Sequence, residues 1–163
     1  MIMKDIIINE TFQLSYPESF FVMSEEERSK LQMLEQGPGF CLSDPDHHRI
    51  VSVGWKKVGK FMYRLLKTKD IRNAMKTRVT GSMRAYQIRT EEAPQVLING
   101  AETLGFGFSY HVQDVAMTGQ SYVMKHEGFF YYFHFYGRTE NREEGLQLFA
   151  DMLSSIQLIK PEK

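Results

Sequence analysis

The residues with the clearest chemical potential form a short cluster in the first third of the chain. Asp44, Asp46, His47 and His48 fall close together, and carboxylates and imidazoles are common metal ligands. In a regular strand, however, the two adjacent histidines point to opposite sides. Asp44-Pro45-Asp46 is also ordinary turn chemistry. We therefore expect a solvated turn at these residues and predict no metal site.

The single cysteine, Cys41, is the other candidate reactive group. It lies between Phe40 and Leu42, in a stretch that is typical of a strand. A reactive thiolate needs an accessible, electropositive setting, whereas a lone cysteine among apolar neighbours is usually a small buried side chain. We expect Cys41 to be buried. One cysteine also excludes an intramolecular disulfide, and we predict no catalytic residue and no cofactor.

Gly105-Phe106-Gly107 has the spacing of two glycines in a phosphate-binding loop. It lies within an alternating strand pattern and lacks both the following helix and the remaining glycine, so we discount that function. Glycines inside a strand leave one of its faces without side chains, so that another group can approach the backbone closely. This favours close packing of a helix, and a ligand groove is the alternative.

A run of aromatic residues from Phe129 to Tyr136 follows a turn at Glu127-Gly128 and stops at Gly137. Its composition is typical of a strand, and alternate residues of a strand point to opposite faces. Both faces are largely aromatic, so the strand belongs in a sheet that is covered on both sides. The even face carries polar tips that need a partner or water, either on a recognition surface or beneath a helix. These residues are Tyr132, His134 and Tyr136.

The charge distribution is the second strong signal. The chain holds 20 Lys/Arg and 20 Asp/Glu, but residues 56–89 hold eleven Lys/Arg and one acid, a net charge of +10. Residues 1–55 and 90–163 each carry −5. A basic surface attracts acidic proteins, nucleic acid or anionic lipid. The alternative is that the acidic ends neutralise these charges within the fold. No nucleic-acid-binding motif accompanies the basic segment. The candidate partner-binding cations are Arg64, Arg72, Lys76 and Arg78.

Hydrophobic periodicity and turn residues place these groups on predicted elements. Strands are predicted at 11–16, 40–42, 49–58, 86–90, 95–98, 103–112, 120–126 and 129–136. A short helix carrying Leu31 and Leu34 begins at the capping box Ser24-x-x-Glu27, and the last helix begins at a similar pattern, Asn141-x-x-Glu144. Residues 59–80 read as helix with an apolar side made of Phe61, Leu65, Met75 and Val79, and the pattern slips near 68–70, which predicts a kink or two consecutive helices.

The order of these elements resembles the PsbP-like fold. The resemblance rests on Thr11-Phe12-Gln13-Leu14-Ser15-Tyr16-Pro17 with Phe20, on Gly107-Phe108-Ser109-Tyr110, on Phe130-Tyr131-Tyr132, and on a last helix that closes with Met152-Leu153-Ser154-Ser155-Ile156. That superfamily contains photosystem II PsbP, Ran-binding Mog proteins, DcrB-like proteins and type VI secretion effector chaperones. Its members are known chiefly as binding and assembly proteins, and they share no catalytic motif that transfers to this chain.

Together these observations predict an α+β fold, an antiparallel sheet with a C-terminal meander and helices on both faces, in one domain over residues 1–163. We expect a non-enzymatic protein-interaction or chaperone-like adaptor. Its expected partner is another protein with an acidic or amphipathic surface, and a homodimer is also possible. A small-molecule binder or enzyme with a pocket between sheet and helix is the alternative, and weak nucleic-acid or anionic-membrane binding through residues 56–89 is the third. The longest N-terminal apolar stretch, Ile6–Ile8, is too short for a membrane span, so we expect a cytoplasmic protein.

Overall fold

The computed structural model describes residues 2–31 and 37–159. The strands are β1 (Met3–Ile8), β2 (Phe12–Pro17), β3 (Phe21–Val22), β4 (Gly39–Asp44), β5 (Arg49–Lys57), β6 (Arg89–Glu92), β7 (Val96–Ile98), β8 (Ala101–Val112), β9 (Val115–His126), β10 (Phe129–Arg138) and β11 (Gln157–Leu158). The helices are α1 (Glu25–Ser29), α2 (Lys60–Leu65), α3 (Thr68–Ser82) and α4 (Arg142–Ser154).

The strands form two antiparallel sheets. The main sheet has the order β3-β4-β5-β10-β9-β8-β6, and β7 pairs with a separate stretch of β8. The small sheet has the order β1-β2-β11. The strands β8, β9 and β10 form the predicted meander, because each pairs in sequence with the next. The α+β prediction is therefore confirmed.

The central strand β10 is buried on both faces, as its aromatic sequence predicts. Its odd residues, such as Tyr131 and Phe133, join a core with β2 of the small sheet and with α4. Its even residues, such as Phe130 and Tyr132, join a second core with α3. We name the two sides of the main sheet the α4 face and the α3 face. Helices lie on both faces, as expected.

Aromatic rings pack directly over glycines in this sheet. A Cβ atom on Gly137 or Gly145 would lie 2.8 or 2.7 Å from Cζ of Phe135, so the absence of side chains there leaves room for this ring. Phe135 also stacks on Phe149 of α4, with ring centroids 5.6 Å apart. Gly105 similarly accommodates the ring of Tyr122. A Cβ atom on Gly105 would also overlap the backbone oxygen of Ser121, so the neighbouring strand β9, and not the helix that the sequence favoured, fills this space.

The first helix follows its predicted capping box but ends early. Ser24 Oγ accepts a hydrogen bond from the backbone N–H of Glu27 at 3.1 Å, and the Glu27 carboxylate accepts one from the Ser24 backbone N–H at 3.2 Å. The helix ends at Ser29, so Leu31 lies beyond it, and Leu34 lies outside the described residues. At the last helix the capping box is wrong, because Asn141 makes no side-chain capping hydrogen bond.

The predicted slip in residues 59–80 is a real break between α2 and α3. Met75 and Val79 of α3 are buried, as the apolar spacing predicted. Phe61 and Leu65 of α2 are exposed, which contradicts the single apolar side drawn through all four residues. The break changes the direction of the chain, so that spacing across it no longer reports one face.

Other differences from the sequence analysis concern element ends. The N-terminal apolar stretch is part of a strand, β1, which pairs with β2 through the register Ile6↔Leu14. The aromatic strand does not stop at Gly137 but continues to Arg138. Tyr86 belongs to a short 3₁₀ turn and precedes β6. These ends depend on pairing partners that are distant in sequence, which local patterns do not report.

We predict that Phe135→Ala lowers the free energy of unfolding by about 3–5 kcal/mol, because the ring fills the space over two glycines and leaves a cavity when removed. Urea denaturation measures the change. The matched control is Phe21→Ala, since Phe21 is 44% exposed. Equal losses in the two variants would contradict the packing described for Phe135.

We also predict a pH dependence that arises at His126, in the β9–β10 hairpin. Burial lowers the pKa of His126, while the charge of Glu127 opposes this shift. The unfolded chain therefore binds this proton at a higher pH than the folded chain, so the stability falls as the pH drops through the ordinary histidine pKa of about 6.5. His126→Gln should flatten this slope in urea denaturation, whereas His111→Gln, at an exposed histidine, should leave it unchanged.

Candidate functional site

A groove of about 540 Å³ lies on the α3 face of the main sheet, where α3 does not cover it. The groove lies between α1 and α3, over β5 and β10. We name it the basic groove. It is lined by Arg28, Pro38, Ser52, Gly54, Trp55, Lys56, Lys57, Arg78, Tyr132 and His134.

Ser52 and His134 line the floor of the basic groove, and they belong to a row of small and polar residues that the strand register places side by side. Cys41 of β4 pairs with Ser52 of β5, which pairs with His134 of β10, which pairs with Ser121 of β9. All four side chains are buried. His134 Nδ1 lies 2.6 Å from Ser121 Oγ, which fixes the imidazole ring in its place. Ser52 and His134 therefore give the groove a preorganised polar floor.

Arginines from two helices form the walls. Arg28 of α1 is only 6% exposed, and Gly39 leaves room for it: a Cβ atom on Gly39 would lie 3.0 Å from Arg28 Nη2. The carboxylate of Glu25 lies 3.8 Å from Arg28 on the solvent side. On the other wall, the guanidinium of Arg78 lies 5.3 Å from the centre of the Tyr132 ring, a cation–π contact.

The groove has a positive electrostatic character. Lys56 and Lys57 are exposed at the end of β5, and none of the described lining residues is acidic. Gly54 leaves the floor open, because a Cβ atom there would have Pro38 O, at 3.7 Å, as its nearest neighbour. Cations around an open, partly apolar groove favour binding of an anionic group.

The cysteine beneath the groove is buried, as predicted. Burial raises the pKa of the Cys41 thiol, although hydrogen bonds from Ser52 and Arg28 oppose this shift. A buried thiol with a raised pKa is a poor nucleophile. The floor can orient a bound group by hydrogen bonding and charge.

A second cavity, of about 430 Å³, lies on the same face near the opposite end of β10. We name it the apolar cavity. Ile50, Val112 and Met117 contribute to its walls. Tyr110 lines it too; it is 1% exposed, and its hydroxyl has no hydrogen-bond partner among the described residues. Burial raises the pKa of Tyr110, so its hydroxyl stays protonated and is available as a donor.

Three-dimensional comparison finds proteins of the same architecture. The solution structure of cyanobacterial PsbP (CyanoP) from Synechocystis sp. PCC 6803 matches with a TM-score of 0.72 at 13% identity, over 96% of this chain and 92% of CyanoP. The crystal structure of LpqN, described as involved in cell envelope biogenesis of Mycobacterium tuberculosis, matches with a TM-score of 0.61 at 11% identity. The match covers 98% of this chain and 93% of LpqN. The chain has a PsbP-like fold.

A crystal structure from Bacteroides thetaiotaomicron matches with a TM-score of 0.63 at 13% identity, over 98% of this chain and 50% of that one. No family model and no curated protein sequence matches the chain. The likeness to PsbP-like proteins therefore concerns the fold, and the links to Mog, DcrB-like proteins and secretion chaperones stay predictions. In the described part of the chain, every helix is too short or too polar to span a bilayer.

The PsbP-like fold brings together only part of the predicted binding set. Arg78, Tyr132 and His134 meet in the basic groove. Tyr136 lines the apolar cavity instead. The even face of β10 is not an exposed tyrosine patch, because Tyr132, His134 and Tyr136 are all buried. What the sequence presented as a surface is therefore the lining of two cavities.

The remaining predicted cations lie elsewhere. Arg72 and Lys76 line a separate cavity of about 360 Å³ that also contains Glu91 and Glu92. Acidic residues from the C-terminal part of the chain are thus adjacent to the basic helix, as the alternative of internal neutralisation anticipated. Arg64 lies on α2, away from both the groove and this cavity.

Three groove cations, Arg28, Lys56 and Lys57, were missed by the sequence analysis. Lys56 faces the groove because its register partner is Phe130, on the even side of β10. Strand alternation combined with the correct hairpin register would have found it. Arg28 gave no signal, since it belongs to an acidic stretch and approaches the groove only through α1 and the opening at Gly39.

The Asp44 turn is less solvated than expected. Asp44 is buried, with Oδ2 2.8 Å from His47 Nδ1 and accepting a hydrogen bond from Ser19 Oγ at 3.1 Å. The carboxylate therefore links the turn to the end of β2. Among residues 2–31 and 37–159, no three His, Cys, Asp or Glu side chains converge as metal ligands would.

Proposed function

We propose that this protein is a non-enzymatic binding module that holds an acidic segment of a partner protein in the basic groove. One observation carries the proposal: Arg28, Arg78 and two lysines reach one groove from three separate elements, with no acid among the described lining residues. Cations that converge from distant parts of the chain are hard to explain as a uniformly solvated face.

The buried position of Arg28 strengthens this proposal. A charge at 6% exposure lies in a medium of lower dielectric than water, so its attraction for an anion is stronger than that of a surface charge. The carboxylate of Glu25, 3.8 Å from Arg28, is itself largely exposed. A ligand carboxylate in the groove would meet Arg28 where screening by solvent is weak.

The shape of the groove favours an extended chain. Lys56, Lys57 and Arg78 are exposed along its rim, whereas Tyr132 and His134 form a buried floor. An extended acidic segment can place carboxylates on the rim and apolar atoms on the floor. The resemblance to a superfamily of binding and assembly proteins supports an adaptor or chaperone-like role of this kind.

Fluorescence anisotropy with a labelled oligoglutamate peptide tests the proposal. We expect wild-type protein to bind it, with an affinity that decreases as salt is raised. Lys56→Glu should weaken binding by roughly tenfold or more, equivalent to about 1.4 kcal/mol. Gly54→Val should weaken binding too, because the folded protein can accommodate the added side chain, which then occupies the floor of the groove.

The matched control is Lys76→Glu, which makes the same charge change outside the groove. Equal losses for Lys76→Glu and Lys56→Glu would show that net charge, and not the groove, binds the peptide. Unchanged binding by the Gly54→Val variant would show that the peptide does not contact the floor of the groove. If free glutarate competes as well as the peptide, the groove binds a small anion instead of a protein segment.

The apolar cavity supports a second candidate function, binding of a small apolar carboxylate. The buried Tyr110 hydroxyl is a donor without a described partner, and an unpartnered buried polar group is costly. Arg138, also lining the cavity, lies 3.6 Å from Glu140, a loose ion pair that a ligand carboxylate can replace. Its volume is within the range of about 300–1,000 Å³ that ligand pockets occupy.

We predict that hexanoate raises the melting temperature in a thermal-shift titration, because a ligand that binds the folded state stabilises it. Tyr110→Phe should reduce this rise, whereas Tyr86→Phe, which makes the same change outside the cavity, should not. A flat titration with wild-type protein, or an equal rise in the Tyr110→Phe variant, would reject this function.

A further inference from the structure

The short helix α2 is held firmly on its inner side. The ring of Tyr63 stacks on Phe130 with centroids 6.2 Å apart and an interplanar angle of 23°. Lys125 Nζ donates a hydrogen bond to the backbone oxygen of Leu66 at 2.9 Å and lies 4.6 Å from the centre of the Tyr63 ring. These contacts fix the orientation of α2 on the main sheet.

The outer side of α2 is also apolar, and folding does not use it. Phe61 is 74% exposed, the highest value among the large hydrophobic residues that the structure describes, and Leu65 is 56% exposed. They are one helical turn apart and therefore form one ridge. Met62, 43% exposed, lies beside them. Anchoring through Tyr63 thus holds three apolar side chains in solvent.

The sequence on both sides of this ridge is positively charged. From residue 56 to residue 69 the chain carries six Lys/Arg and no acid, and all six are exposed. Lys60 and Arg64 are one turn apart on α2 and line the same shallow depression as Phe61 and Leu65. The combination is a basic amphipathic helix whose apolar side faces outward.

A lipid surface accounts for this combination better than a protein does. A stable protein interface buries about 800 Å² on each partner, far more than three side chains offer. Insertion at a bilayer interface, by contrast, needs only a few apolar side chains when basic residues add attraction to anionic headgroups. The sign of the charge specifies an anionic leaflet.

We propose that α2 is an interfacial helix that attaches the protein to anionic lipid bilayers. Phe61, Met62 and Leu65 enter the boundary between headgroups and acyl chains. Lys60 and Arg64 contact the lipid phosphates. The site is separate from the basic groove, so it stands whether or not the groove binds an acidic segment.

Vesicle co-sedimentation tests this proposal. We expect the full chain to sediment with vesicles of phosphatidylcholine and phosphatidylglycerol, and not with phosphatidylcholine alone. Bound protein should decrease as salt is raised, because screening weakens the attraction to the headgroups. Phe61→Ser combined with Leu65→Ser should lower the partition coefficient by at least about tenfold, since apolar burial is lost.

Two matched controls separate this site from general effects. Leu97→Ser removes another exposed apolar residue, 65% exposed on β7, and should leave binding unchanged. Lys76→Glu should weaken binding much less than Lys60→Glu, because Lys76 lies away from α2. Unfolding curves establish that each variant is folded.

Absence of sedimentation at low salt would overturn the proposal. Equal binding of neutral and anionic vesicles would overturn the charge argument. If size-exclusion chromatography with light scattering shows a dimer that Phe61→Ser dissociates, the ridge is an interface between two copies of the chain, and the lipid proposal is wrong.

Discussion

The need to bury both faces of β10 determines where the other layers lie. Its odd residues are covered by the small sheet and α4, and its even residues lie on the side of α3. A helix is narrower than the sheet beneath it, and α3 packs mainly on β8 and β9. The even face over β5 and β10 is therefore only partly covered, and the basic groove occupies the uncovered part. The candidate site is thus a consequence of how the core is completed.

The layered fold could be predicted because its signals are local. Alternation in β8 and β10 and the apolar stripe of α4 each follow from a period within one element. The groove could not be predicted in the same way, since the row of Cys41, Ser52 and His134 at and beneath its floor exists only through the pairing of three strands. Arg28 adds a tertiary contact that needs Gly39 opposite it. Residues of this kind are determined by register and packing, which one sequence leaves open.

The charge pattern of the sequence correctly indicated a positive surface but not where on the fold that surface lies. The segment with net charge +10 supplies three different surfaces: the rim of the groove, the ridge of α2, and the side of α3 that carries Arg72 and Lys76. Glu91 and Glu92 line the same cavity as these last two residues, so acids of the fold lie beside that part of the segment. The same composition therefore has acidic neighbours at one surface and none among the described lining residues of the groove, and only the fold distinguishes the two.

The break between α2 and α3 links the fold to both proposals. The backbone N–H of Lys67 donates to the Asp70 carboxylate at 3.1 Å, which starts α3, while Lys125 holds the last carbonyl of the preceding turn at Leu66. Without this break, the spacing of Phe61 and Leu65 would continue the buried stripe of α3. With it, α3 turns its stripe to the sheet and brings Arg78 to the groove, whereas α2 keeps its own anchor and presents its apolar ridge outward. One local change of direction therefore divides one hydrophobic pattern into the buried stripe of α3 and the exposed ridge of α2.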